Sequence, residues 1–190
     1  DQASAVKQFS AKGVVDPSRV GMIGWSYGGY MSAISICRAP DVFCCAVAGA
    51  PVTDWDAYDT CYTERYMGLP QENQEGYTQS SVFTHVPHMG NNKLLLIHGL
   101  IDENVHFRHS ARLVRCLSAN NKEYELVVFP NQRHSPAPAS TDRVYLEDRL
   151  TSFFSRHLSL SLSSTSPSFS LSLSSGTPSS TSITPIVSHL

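Results

Sequence analysis

The chain has 190 residues, 41% hydrophobic and 16% charged, with a net charge of −2. That length fits one domain with a sizeable core, and the charge excludes the clustered Lys and Arg of a nucleic-acid-binding surface. No apolar run reaches the ~18 residues of a membrane span.

Ala3, Val6 and Phe9 recur at threes and Gly13 follows as a stop, so the chain is expected to open with a helix. Residues 19–23 read as a short strand after the Asp16-Pro17 turn. Apolar residues at 27, 30, 31, 34 and 37 predict a helix over 27–37, ended by Pro40. Residues 43–48 read as a buried strand. Residues 93–98, KLLLIH, form a near-continuous apolar run, as expected of a strand covered on both faces. A helix over 107–117, a strand over 125–129 and a helix over 144–158 follow, the last with Leu146, Leu150, Phe153 and Phe154 on one side. Strands alternating with helices predict a mostly parallel α/β sheet with helices on both faces. Ligands at such sheets bind beyond the carboxyl ends of the strands.

Composition changes at Ser159. Every Asp, Glu, Lys and Arg precedes it, and 159–190 is Ser-rich and of low complexity. The domain is therefore expected over 1–158, with a disordered tail over 159–190. The five cysteines, Cys37, Cys44, Cys45, Cys61 and Cys116, include no CxxC pair. Cys44 and Cys45 alternate along the expected strand, so they should point to opposite faces and not bridge. Free thiols are preferred to one disulfide, which favours the cytoplasm for a chain whose compartment is otherwise unknown.

Gly24-Trp25-Ser26-Tyr27-Gly28-Gly29 matches G-x-S-x-G, with a strand before it and an amphipathic helix after it. Glycines two before and two after the serine are expected on steric grounds, because the turn is too sharp for side chains there. Ser26 then stands at a helix N-terminus, which favours developing negative charge. Such a nucleophile calls for an acid and then a histidine, in that order. Asp102 follows the KLLLIHG strand and His134 lies in the loop after ELVVFP. Ser26 would attack a carbonyl, His134 would take and return its proton, and Asp102 would orient the imidazole. Glu103 should diverge from the site. The pairs His85/His88 and His106/His109 lack the glutamate and third ligand of a catalytic zinc site, so no metal is expected there. Trp55, Tyr58 and Tyr62 recur at helical spacings after the 43–48 strand. They read either as a satellite core or as an apolar pocket with hydroxyls for polar contacts.

GWSYGGY, AGAPVTDWDAYDTCYTERYMGLP, LLLIHGLIDENVHF and the NQRHS loop resemble the catalytic domain of prolyl oligopeptidase family serine peptidases, in the dipeptidyl peptidase IV-like branch. The resemblance implies an α/β-hydrolase fold with Ser26 as nucleophile, Asp102 as acid and His134 as base. It implies the Tyr27 backbone N–H as an oxyanion donor. It implies a proline or alanine pocket walled by Tyr27, Val52, Trp55, Tyr58, Tyr62 and Val105, with Asn104 touching the substrate backbone. The substrate would be a peptide with a small or prolyl penultimate residue, cleaved without metal or cofactor, and a homodimer is the implied assembly. The family also has strands before the first helix, an upstream tyrosine that completes the oxyanion hole, and a β-propeller. The domain is accordingly expected to be N-terminally truncated. Rival readings are a carboxylesterase or acylaminoacyl peptidase on the same fold, and an inactive fragment serving as an interaction module.

Overall fold

The fold is taken from a computed structural model, which describes residues 1–135 and 140–159. The Ser-rich tail beyond Ser159, with its expected disorder, lies outside the described residues, as does the 136–139 segment.

The chain opens with helix α1, Gln2–Ala11, and reaches strand β1, Gly21–Trp25. Helix α2, Tyr27–Arg38, returns to strand β2, Cys45–Gly49. Three short helices follow: α3, Thr60–Met67; α4, Gln74–Ser80; and α5, Val82–His85. Strand β3, Leu94–Gly99, leads to helix α6, Arg108–Ala119, then strand β4, Glu125–Phe129, and helix α7, Ser140–Leu158. The strands lie in the order β1-β2-β3-β4 and every pairing is parallel.

Parallel strands need crossovers, and the crossovers cover both faces of the sheet. In β3 the faces are told apart by alternation. Leu94 and Leu96 join the core beneath α2 and α6, with Ala33, Ile36, Leu113 and Leu117. Leu95 and Ile97 join the core beneath α7, with Leu146 and Phe153. The three leucines and the isoleucine of β3 are each 1% exposed or less, which explains why this strand reads as continuously apolar.

Several boundaries differ from those read in the sequence. β1 sits two residues later than expected because its register runs from Gly21 opposite Cys45 to Trp25 opposite Gly49. Arg19 instead closes a turn on the Asp16 carbonyl. β2 also starts two residues late, since the Phe43 N–H is taken by the Ala39 carbonyl. α7 begins a turn earlier than expected. α1 turns no fully buried residue inward, and Ala3 and Val6 only lean on the core. All five cysteines are free thiols. Cys44 and Cys45 do not take opposite faces: Cys44 precedes the pleat of β2, and both pack on the α7 side.

Candidate active site

β1 runs straight into Ser26, held at φ 58° and ψ −118° before α2 begins. A non-glycine residue in that region costs on the order of 1–3 kcal/mol. Two backbone bonds fix the reversal: Ser26 N–H donates to Gly49 O at 2.9 Å, and Ser26 O accepts from Tyr30 N–H at 3.0 Å. The turn folds α2 back so tightly that a Cβ on Gly24 would collide with the backbone of Gly28. The expectation that Gly28 must itself lack a side chain is corrected, because a Cβ there would meet nothing within 4 Å. The required absence on that side is at Gly29, where a Cβ would strike the Gly49 carbonyl of β2. Ser26 is half-buried. It stands where the first N–H groups of α2, Tyr27's included, have no partner within the helix and carry the positive end of the helix dipole.

Asp102 lies three residues beyond the end of β3, with its side chain wholly buried. Its Oδ1 accepts from the N–H groups of Asn104 and Val105, both at 2.9 Å. Its Oδ2 lies 2.8 Å from Nδ1 of the half-buried His134. Glu103 diverges, as expected, toward Arg133 at 2.8 Å. Among the described residues Ser26 Oγ makes no hydrogen bond to His134. The link between the serine turn and the histidine loop is made by Trp25, whose Nε1–H donates to His134 O at 2.6 Å. The sequence reading did not anticipate that bond. Nor did it single out His98, whose Nε2 lies 3.2 Å from the same Asp102 Oδ2. A polar side chain closing an apolar strand one turn before the candidate acid was the available signal.

Beside Tyr27 opens a cavity of about 450 Å³ whose walls are largely aromatic. Trp55 stacks on Tyr62 with centroids 6.0 Å apart, and Tyr27 tilts against Trp55 at 6.0 Å. Of the residues expected to wall a pocket, Tyr27, Trp55 and Tyr62 line this one, joined by the unanticipated Tyr30, Tyr66 and Met67. Tyr66 follows Tyr62 by one helical turn, a spacing that could have flagged it. Val52 and Val105 are instead buried in the core under α2 and α6. Tyr58 and Asn104 sit to the side, bonded to each other through Tyr58 OH and Asn104 Oδ1 at 2.9 Å. The spacing of Trp55, Tyr58 and Tyr62 does not come from one helix. Trp55 opens a single 3₁₀ turn, Trp55–Ala57; Tyr58 is extended; and Asp59 then caps α3 by accepting from Tyr62 N–H at 2.9 Å.

The Trp55 segment is tied to α6 on both sides. Thr53 N–H donates to His109 Nδ1 at 3.2 Å, Arg112 reaches Asp54 at 2.7 Å and Asp56 at 3.3 Å, and Arg108 donates to Ala57 O. Burial, then Asp56, pushes the Asp54 carboxyl up to about 6, against the pull of Arg112. Burial, then Arg108, pushes the His109 imidazole down to about 4. Among the described residues no group of three or more His, Cys, Asp and Glu side chains could hold a metal ion.

A parallel sheet covered on both faces, with a strained serine at one strand end and a buried carboxylate paired to a histidine at two others, defines an α/β-hydrolase. The family model for the prolyl oligopeptidase family matches residues 1–161. Human dipeptidyl peptidase 8 is 45% identical over 138 residues, covering 71% of this chain and 15% of that protein. Human prolyl endopeptidase FAP is 37% identical over 163 residues, covering 85% and 21% respectively. The crystal structure of Porphyromonas gingivalis dipeptidyl peptidase 4 superposes with a TM-score of 0.78 at 35% identity, covering 83% of this chain and 22% of that one. The chain belongs to the prolyl oligopeptidase family. It spans less than a quarter of the length of these relatives.

Proposed function

We propose that this chain carries the catalytic residues of a serine peptidase, with Ser26 as nucleophile, His134 as general base and Asp102 as its partner. The observation that carries the reading is the 2.8 Å contact between His134 Nδ1 and the buried Asp102 carboxylate, which stands beyond the same sheet end as the strained Ser26. Ser26 Oγ attacks the scissile carbonyl carbon while its proton passes to His134 Nε2. The carbonyl electrons move onto oxygen, which the Tyr27 N–H faces as an oxyanion donor. Collapse expels the amine, which takes the proton from His134. Water then repeats the sequence on the acyl-enzyme and frees Ser26.

The substrate we infer is a peptide with proline or alanine before the scissile bond, released as an N-terminal dipeptide. An apolar cavity with flat aromatic walls suits a small ring, and the named relatives include two dipeptidyl peptidases. Labelling by a fluorophosphonate, with Ser26→Ala as control, tests the nucleophile. Stoichiometric labelling lost in the variant is expected, and no labelling of the wild type overturns the reading. Hydrolysis of Xaa-Pro-arylamide in preference to p-nitrophenyl esters is expected, and the reverse preference points to an esterase.

A further inference from the structure

His98 is the penultimate residue of β3, and none of it reaches solvent. Its hydrogen bonds fix which nitrogen carries the proton. The Val105 carbonyl, 2.8 Å from Nε2, can only accept, so Nε2 is the donor. Nδ1 is then the acceptor, and Ser110 Oγ, 2.7 Å away in the first turn of α6, donates to it. Burial pushes this imidazole below its ordinary range, which agrees with a neutral ring bearing one N–H. Phe107 closes the site edge-on with centroids 5.5 Å apart. A histidine serving only the core would be satisfied by that carbonyl and that hydroxyl. Here the single N–H also lies 3.2 Å from Asp102 Oδ2, the oxygen that meets His134.

We propose that His98 is a positioning residue for the candidate acid: its Nε2–H, shared between Val105 O and Asp102 Oδ2, fixes the rotation of the Asp102 carboxylate and through it the aim of the His134 ring. This rests on the peptidase reading above. The two backbone N–H groups of the Asp102 turn hold Oδ1 alone. Without a donor at Oδ2 other than His134, the carboxylate follows the imidazole instead of directing it. Ser110 acts one step further back, by keeping the proton off Nδ1.

The test compares wild type, His98→Leu, His98→Gln, Ser110→Ala and Ser26→Ala in the full-length polypeptide. It measures kcat and KM on an Xaa-Pro-arylamide, the rate of fluorophosphonate labelling, and melting temperature. His98→Leu should lower kcat and the labelling rate about 10²-fold, the scale of a small misplacement of a reacting group, with KM within about twofold. His98→Gln places a carboxamide N–H near the Nε2 position and should recover about tenfold of that loss. Ser110→Ala should fall between wild type and His98→Leu. Unchanged kcat in a folded His98→Leu overturns the proposal. So does a His98→Gln no better than Leu although it melts like wild type. If His98→Leu does not melt cooperatively, Ser110→Ala decides, and unchanged kcat there overturns it. A wild type that does not label at Ser26 removes the peptidase reading and this proposal together. Failure of the proposal alone shows as a labelled wild type with insensitive His98 and Ser110 variants.

Discussion

At Ser26 and its neighbours, single side chains decide whether the turn can form. Gly28 and Gly29 adjoin each other in α2, yet only Gly29 faces backbone that a Cβ would strike. Gly28→Ala should therefore stabilise the fold, by about 0.5–1 kcal/mol for glycine replaced inside a helix. Gly29→Ala should destabilise it, because the Gly49 carbonyl cannot yield without breaking its bond to Ser26 N–H. Denaturant midpoints of the two variants check this, and equal shifts would refute it. The G-x-S-x-G spacing pointed to Gly28, since a pattern counts positions along the chain. Packing of α2 on β2 is what makes Gly29 the constrained residue. The strand-end positions of Ser26, Asp102 and His134 were legible because each closes or follows a strand. His98 was not, because its role depends on an oxygen four residues ahead that only the folded loop brings back to it.

Between the Trp55 segment and α6, two buried titratable groups oppose one another. Asp54 has a raised pKa in the fold, so the stability it contributes is full below its unfolded value near 4 and is lost as pH rises through about 6. His109 has a depressed pKa, so its contribution is full above its unfolded value near 6.5 and is lost as pH falls through about 4. Over that shared window the two slopes cancel in part. Asp54→Asn should expose the His109 slope, with the melting temperature falling on acidification from 6.5 to 4 more steeply than in wild type. His109→Asn, which keeps an acceptor for Thr53 N–H, should tilt the curve the other way. Parallel melting curves for both variants and wild type would refute the opposition. None of this was legible in the sequence, where Asp54 and His109 stand far apart and His109 reads as half of an i,i+3 pair. The strands and the long helices were legible from periodicity, but the short helices α3, α4 and α5 were not. The ends of β1 and β2 moved by one or two residues because parallel register, not propensity, sets where a strand begins and stops, while α7 began a full turn early.

For the molecule as a whole, the layering was readable and the cavity only in part, through Tyr27, Trp55 and Tyr62. Alternation within β3 assigns the two cores, and the 144–158 stripe already showed which residues of α7 would meet the sheet. The cavity draws on α2, the Trp55 turn, α3 and the end of α4 at Ser80, and no window of sequence contains that combination. One consequence of this convergence is optical. The chain has two tryptophans. Trp25 donates to the carbonyl of the histidine loop, and Trp55 stacks in the cavity wall. All of the chain's indole emission therefore arises at the two sides of Ser26. In a Trp25→Phe variant the remaining emission, from Trp55, should change in wavelength or intensity as an unlabelled Xaa-Pro dipeptide fills the cavity. In Trp55→Phe, emission from Trp25 should report the His134 loop. A saturating dipeptide that leaves the Trp25→Phe spectrum unchanged would count against occupancy of that cavity. The protein thus carries two intrinsic probes, one on each flank of Ser26, read by exchanging one ring at a time.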